Sequence, residues 1–306
     1  MSSSTGGLDP ASFAWDHQVY RHIFLSGLVI LLYDHLLTLE TEIQTIWLSK
    51  PQPLKIWFLG VRYIPLLSSA AILVFYFGNL NPERYQCATM EQALEGLLLT
   101  QESLVEITLT LRVVAMYGWN LRIMAAMGIF GGIAAALGLW TVVEYGHPQM
   151  LIMPGLSGCH TAIPRATALR SAGGWLAQFL LDIIVFGLTA YRAYQDRSTI
   201  QFIPGSLIER MARDGAMYFR IIVLANLANI LTLFLGDIMI AGILSWWTTS
   251  LSVVLICRLM LNLQRAGAGV QTEENFESTE LPEIHFVGQN LAPPRTDDGL
   301  GSLVNV

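Results

Sequence analysis

The sequence predicts an all-α polytopic membrane protein, a bundle of seven transmembrane helices. Three observations lead there. Apolar residues make up 53 % of the 306-residue chain and charged residues only 13 %, whereas a soluble domain usually carries about a quarter charged residues. Seven separate stretches approach the ~20 mainly apolar residues that cross a hydrocarbon core. The net charge of −6 is local, because the segment after Arg265 carries seven acids against Arg295 alone.

Taken in order, the stretch 19–39 follows Asp9, Asp16 and His17 rather than a basic segment, and no small-residue cleavage site succeeds it. It reads as a retained first span behind a short extracellular tail, 1–18. The next spans fall at 56–78, 93–117, 122–144, 172–192, 216–238 and 241–263. The third is the least apolar, carrying Glu95, Glu102, Glu106 and Arg112, and only a tight turn near Ala241-Gly242 separates the last two. The bundle thus occupies 19–265. Beyond it, 266–306 holds acids and Pro282, Pro293 and Pro294 with little to bury, the composition of a disordered tail.

Orientation follows from the basic residues flanking the spans. Lys50, Lys55, Arg122, Arg192, Arg197, Arg210, Arg213 and Arg265 fall on one side, Arg21, Arg84, Arg165 and Arg170 on the other. The bias places the amino terminus outside and the acidic tail in the cytoplasm, in the plasma membrane or another membrane of the secretory pathway. Cys87 and Cys159 then share the oxidising side, where a disulfide between them is favoured over two free thiols. Cys257, near the inner end of the last span, reads as a buried thiol rather than a palmitoylation site.

Ionisable groups inside a span each cost at least about 2.5 kcal/mol at its centre and so turn inward and pair. Asp34, Arg62, Arg112 and Arg220 lie toward inner helix ends, where Asp34 joined to Arg112 or Arg62 forms an ionic latch. Glu102, Glu106 and Asp182 lie nearer the middle. Glu102 and Glu106 are four residues apart and share a face with Glu95, so the stripe must line the interior. Carboxylates gathered in low dielectric hold protons or a cation. Asn226, Asn229 and Asp237 share a face of the sixth span, and Ser245, Thr249 and Ser252 one of the seventh. Together these faces predict a polar cavity open outward. Asn, Ser and Thr stripes also serve simply as interhelical hydrogen bonds. Gly128, Gly132 and Ala136 read as a packing face, and Trp15, Trp57, Trp246 and Trp247 as an interfacial belt.

Several chemistries drop out. No basic surplus invites nucleic acid, and no zinc-spaced cysteines or CxxC occur. Lys50 and Lys55 are the only lysines, so no retinal Schiff base forms in the last span. His17, His22, His147, His160 and His285 lie outside the core and His35 stands alone, which disfavours an intramembrane zinc hydrolase. The Gly155–Gly158 stretch lacks the strand-to-helix setting of a nucleophile elbow. The expectation is a non-enzyme with no cofactor and no metal.

The stretch YDHLLTLETEIQTIW, Tyr33 to Trp47, resembles the signature YDHLLTLxxEIxxIW of a fungal family, seven-span proteins of mushroom-forming fungi that carry a domain of unknown function. LRVVAMYGWN, Leu111 to Asn120, and CRLMLNLQRA, Cys257 to Ala266, resemble two further elements of that family. Val114 stands where an aromatic residue is usual there, and Trp119 and Gln264 where basic residues are. The resemblance implies the seven-span fold and no established activity. Physically, the signature reads as the end of the first span turning into an interfacial helix. Leu36, Leu39, Ile43, Ile46 and Trp47 face lipid on this reading, and Glu40, Glu42 and Gln44 face water.

The plan resembles that of G-protein-coupled receptors. The leading expectation is a receptor-like sensor, with the lipid bilayer and a cytoplasmic effector as partners. The alternative is a proton- or cation-coupled transporter or a lipid-handling protein using Glu102, Glu106 and Asp182. The sequence is silent on oligomeric state.

Overall fold

The computed structural model describes residues 10–48, 53–78, 87–143, 149–150, 161–162, 165–200, 207–236 and 240–279. Seven α-helices account for nearly all of them: α1 (Pro10–Glu42), α2 (Pro53–Phe77), α3 (Cys87–Met116), α4 (Leu121–Val143), α5 (Arg165–Ile200), α6 (Leu207–Leu235) and α7 (Ser245–Thr279). A five-residue π-helical turn, Ile43–Trp47, prolongs α1. The only strands among the described residues are β1 (Gln149–Met150) and β2 (Thr161–Ala162), a two-residue antiparallel pairing.

The chain divides into two units, Met1–Ala266 and Gly267–Val306. The second carries the last turns of α7, through a segment whose composition predicts disorder. α7 continues through it to Thr279, short of the next proline, Pro282, which would end a helix. The first unit holds the bundle.

Among the described residues, six helices are long and apolar enough to cross a membrane: Ala14–Trp47, Pro53–Phe75, Leu121–Val143, Ala166–Gln195, Met217–Leu235 and Ser245–Arg265. α3 is excluded by its charges, not its length. Its 30 residues extend about 45 Å at the helical rise. Gly27 of α1 lies against Trp247 of α7, and Asp34 meets Arg258 further along the same two helices, so α1 and α7 run parallel. Likewise Gln178 meets Glu102 while the Tyr117 hydroxyl reaches the Leu188 carbonyl, so α3 and α5 run parallel.

Short connections explain the alternation of direction. Between α3 and α4, Gly118 and Trp119 adopt φ of 64° and 58°, and the Trp119 amide closes on the Val114 carbonyl at 3.0 Å. This is a helix C-terminus completed in left-handed backbone. The Asn120 side chain then caps α4 by accepting from the Arg122 amide at 3.0 Å. Between α6 and α7, Gly242 has φ of 76°, within the turn expected at Ala241-Gly242.

α7 is the central rod. In its most apolar stretch 72 % is buried, against 6 % in α4, which puts α4 at the periphery. Apolar residues pack in two clusters, one including Phe58, Val105, Leu109, Phe219 and Ile256. The other includes Ile72, Phe75, Leu98, Trp175 and Trp246. Large apolar side chains such as Leu67, Ile129, Trp140 and Leu224 point outward, as they do when lipid is the solvent.

Three expectations are corrected here. Trp246 is 7 % exposed within the second cluster, so it packs rather than anchoring at an interface, and Trp57 donates to the Thr108 hydroxyl at 2.9 Å. Gly128, Gly132 and Ala136 are all exposed, and a Cβ added to either glycine would meet nothing within 4 Å. Close helix approach occurs instead at Gly27, where an added Cβ would sit 3.2 Å from the Trp247 Cα, and at Gly138 against Gly174. Without a hydrophobic drive between helices in lipid, small residues at such crossings let backbones approach. Ile46 and Glu42, assigned to lipid and water, are both buried.

Candidate functional site: a polar centre and an inner clasp

The first group of polar residues occupies the middle of the bundle. Glu102, on α3, accepts from Gln178 Nε2 of α5 at 2.5 Å and pairs with the Thr249 hydroxyl of α7. Thr249 also reaches the Ser245 carbonyl at 2.9 Å. The Thr249 hydroxyl thus donates to Glu102 while lying against a helix carbonyl of its own turn, which it shares as a second acceptor. One turn along α3, the Glu106 carboxyl faces that of Asp182 on α5. Asp182 accepts from Asn226 Nδ2 of α6 at 2.6 Å. Asn229, one turn further, accepts from the Ser245 hydroxyl at 3.2 Å. Glu102, Asp182, Asn226, Asn229, Ser245, Thr249 and Ser252 are all buried.

Facing carboxylates cannot both stay ionised in a low-dielectric interior without a shared proton or a cation. No donor meets either oxygen of Glu106 in hydrogen-bonding geometry; nearby Gln178 directs its amide at Glu102. Asn226 Oδ1, Asn229 Nδ2 and Ser252 Oγ are likewise buried without a hydrogen-bond partner.

A cleft of about 430 Å³ between α3, α4 and α5 leads to this centre. Glu95, Glu102, Trp175 and Gln178 line it, together with Gly138 and Gly174. Its lining comes from the first half of α3, the second half of α4 and the first half of α5, which the antiparallel order brings to one half of the bundle.

The second group lies toward the opposite end and differs from the expected latch. Asp34 pairs with Arg258 of α7 rather than with Arg112 or Arg62. Arg62 forms a 2.7 Å ion pair with Glu42, a charge contact rather than an in-line hydrogen bond. Arg62 also donates to the His35 carbonyl at 3.0 Å and the Thr38 hydroxyl at 2.8 Å. Glu42 accepts from the Tyr63 hydroxyl at 2.9 Å and from Trp47 Nε1 at 3.1 Å. The π-helical turn explains the choice of acid, since widening the turn brings residues five apart over one another. Trp47 then covers Glu42, whose carboxylate turns to Arg62.

Arg112 is not part of the clasp. Its guanidinium lies 5.4 Å from the Phe219 ring centre. Arg220 is exposed, where it can snorkel. Asp237 and Cys159 lie outside the described residues, as does the side chain of Cys87, so the expected disulfide does too. Among the described residues Cys257 is a free, buried thiol, beside Asp34, His35 and Arg62.

Sequence reasoning missed Glu42, Gln178 and Arg258. The available signal was Arg62, deep in an apolar helix and in need of a counter-ion. A strict 3.6-residue period, however, turns Glu42 to the outside.

These helices and their buried polar contacts define an all-helical, multi-pass membrane protein that would sit in a lipid bilayer. Within it, residues 22–67 form a domain of unknown function, matching the family described as "Family of unknown function (DUF6533)". No curated protein matches the chain. The matched segment contains the α1–α2 side of the clasp: Asp34, His35, Thr38, Glu42, Trp47, Arg62 and Tyr63. It is a helical hairpin that carries its own buried ion pair.

Proposed function

We propose that the chain is a seven-span, receptor-like sensor in which α7 couples the carboxylate centre to the inner clasp. The observation that carries this reading is that one central helix contributes to both. Thr249 of α7 contacts Glu102, and Arg258 of the same helix pairs with Asp34. Nine residues apart, the two positions are separated by about 13 Å along a rigid rod. A ligand or proton arriving through the α3–α4–α5 cleft changes the charge that Thr249 faces. If α7 has two packings, that change biases them and shifts Arg258 against Asp34. α3 serves as the seventh span because its charges turn into the bundle, Glu102 onto Gln178, Glu106 toward Asp182 and Arg112 over Phe219. The bias of basic residues supports an outside amino terminus, with the clasp near the cytoplasm and within reach of an effector. The Tyr33–Trp47 motif supports kinship with seven-span proteins of mushroom-forming fungi.

Cys257 provides a native reporter. Its maleimide labelling, read by peptide mass spectrometry at one fixed pH, is expected to change at least fivefold in Thr249→Val and Glu102→Ala while both proteins remain monodisperse. Rates within twofold of the unaltered protein would refute coupling through α7.

A second reading, proton- or cation-coupled transport, is favoured by the facing Glu106 and Asp182 carboxyls, which no ion pair among the described residues joins. It requires pH-dependent flux in vesicles that Glu102→Gln and Asp182→Asn abolish.

A further inference from the structure

We propose that Glu106, Asp182 and Asn226 bind a small monovalent cation such as sodium between α3, α5 and α6. The proposal deepens the sensor reading, resting on it only for the consequence that binding would have at α7.

The argument starts from unmet oxygens. Both carboxyl oxygens of Glu106 and the amide oxygen of Asn226 are buried with no donor, and Asn226 is only 1 % exposed. The Asn226 amide nitrogen is committed to Asp182 Oδ2 at 2.6 Å. By covalent geometry its oxygen therefore lies within about 5 Å of that carboxylate. Two carboxyls and an amide oxygen from three helices thus converge, all of them acceptors.

Charge narrows the occupant. The neighbours on each packed helix are Glu102 on α3, Gln178 on α5, Asn229 on α6 and Thr249 on α7, none of them cationic. Arg112, further along α3, lies over Phe219. A single proton shared by Glu106 and Asp182 joins two of the oxygens but leaves one negative charge and the Asn226 oxygen unmet. A monovalent cation beside that proton makes the site neutral, the cheapest state in a low-dielectric interior. A divalent ion is disfavoured, since calcium takes six to eight oxygens and, among the described residues, no three or more Asp, Glu, His or Cys side chains are placed to hold a metal ion together. Entry is through the cleft that reaches Glu102 and Gln178, one turn away.

The test uses the full chain in nanodiscs. Tm is measured at pH 8 while sodium chloride replaces N-methyl-glucamine chloride at constant ionic strength. The unaltered protein is expected to show a saturating rise of about 3–5 °C at ten times half-saturation, absent in Asp182→Asn and in Glu106→Gln. Direct 22Na+ binding to the unaltered protein, displaced by unlabelled sodium, gives the same answer without relying on variants that fold. No saturable binding, or an equal response in both variants, overturns the proposal. The Cys257 assay, run without sodium, separates this failure from that of the sensor reading.

Discussion

The clasp in the α1–α2 hairpin allows a quantitative test through Glu42→Gln, Arg62→Met and the double variant. Arg62 is 3 % exposed and Glu42 0 %. Removing either partner strands a buried charge, which typically costs about 3–5 kcal/mol. At roughly 2–4 °C per kcal/mol for a chain of this size, each single variant should lose about 6–20 °C in Tm. The double variant removes both charges together, and the amide introduced by Glu42→Gln still accepts from Tyr63 and Trp47. What it loses is mainly the Arg62 hydrogen bonds to His35 and Thr38, worth about 1 kcal/mol each. It should therefore be more stable than either single variant, with a coupling of at least about 2 kcal/mol. Thermal unfolding in nanodiscs, followed by tryptophan fluorescence, measures the cycle. Single effects that add to within about 0.5 kcal/mol would show that the two charges do not depend on each other. The clasp would then be only a crossing of side chains.

Two further outcomes follow from the geometry. At the centre, Glu102→Gln keeps an acceptor for Gln178 and gains N–H donors for Thr249, so stability should stay within about 1 kcal/mol of the parent, whereas Glu102→Ala orphans both partners at about 1–3 kcal/mol each; equal losses in the two would show that Glu102 is ionised. At the α4 crossing, an added Cβ on Gly138 would sit 2.6 Å from a Leu99 methyl while Gly132 has nothing within 4 Å, so Gly138→Leu should lower Tm by about 1–3 kcal/mol equivalent and Gly132→Leu should leave it nearly unchanged. The reverse order would place the small-residue face against a neighbouring helix after all.

Much of the fold was legible in the chain because hydropathy and length respond to lipid directly. The α4 span at 122–144 corresponds to a helix at Leu121–Val143, and the Ala241-Gly242 turn coincides with left-handed backbone at Gly242. The inward demand of Glu102, Glu106 and Asp182 was legible for the same reason, since no other placement meets their charge. Helix length was underestimated where polar residues extend a helix beyond the apolar stretch, as at both ends of α5.

By itself, then, the sequence determined that the chain is a multi-pass helical membrane protein and that certain polar groups must be hidden. Only the tertiary structure decided which of them meet. Asp34 was expected to meet Arg112 or Arg62 and took Arg258 instead, because α1 and α7 run parallel and close through Gly27. Glu42 reached Arg62 because a π-helical turn rotated it off the outer face. Burial is a property each residue brings with it, read one position at a time. Partnership depends on helix direction, crossing distance and a local change of helical period, which arise only when all the helices pack together.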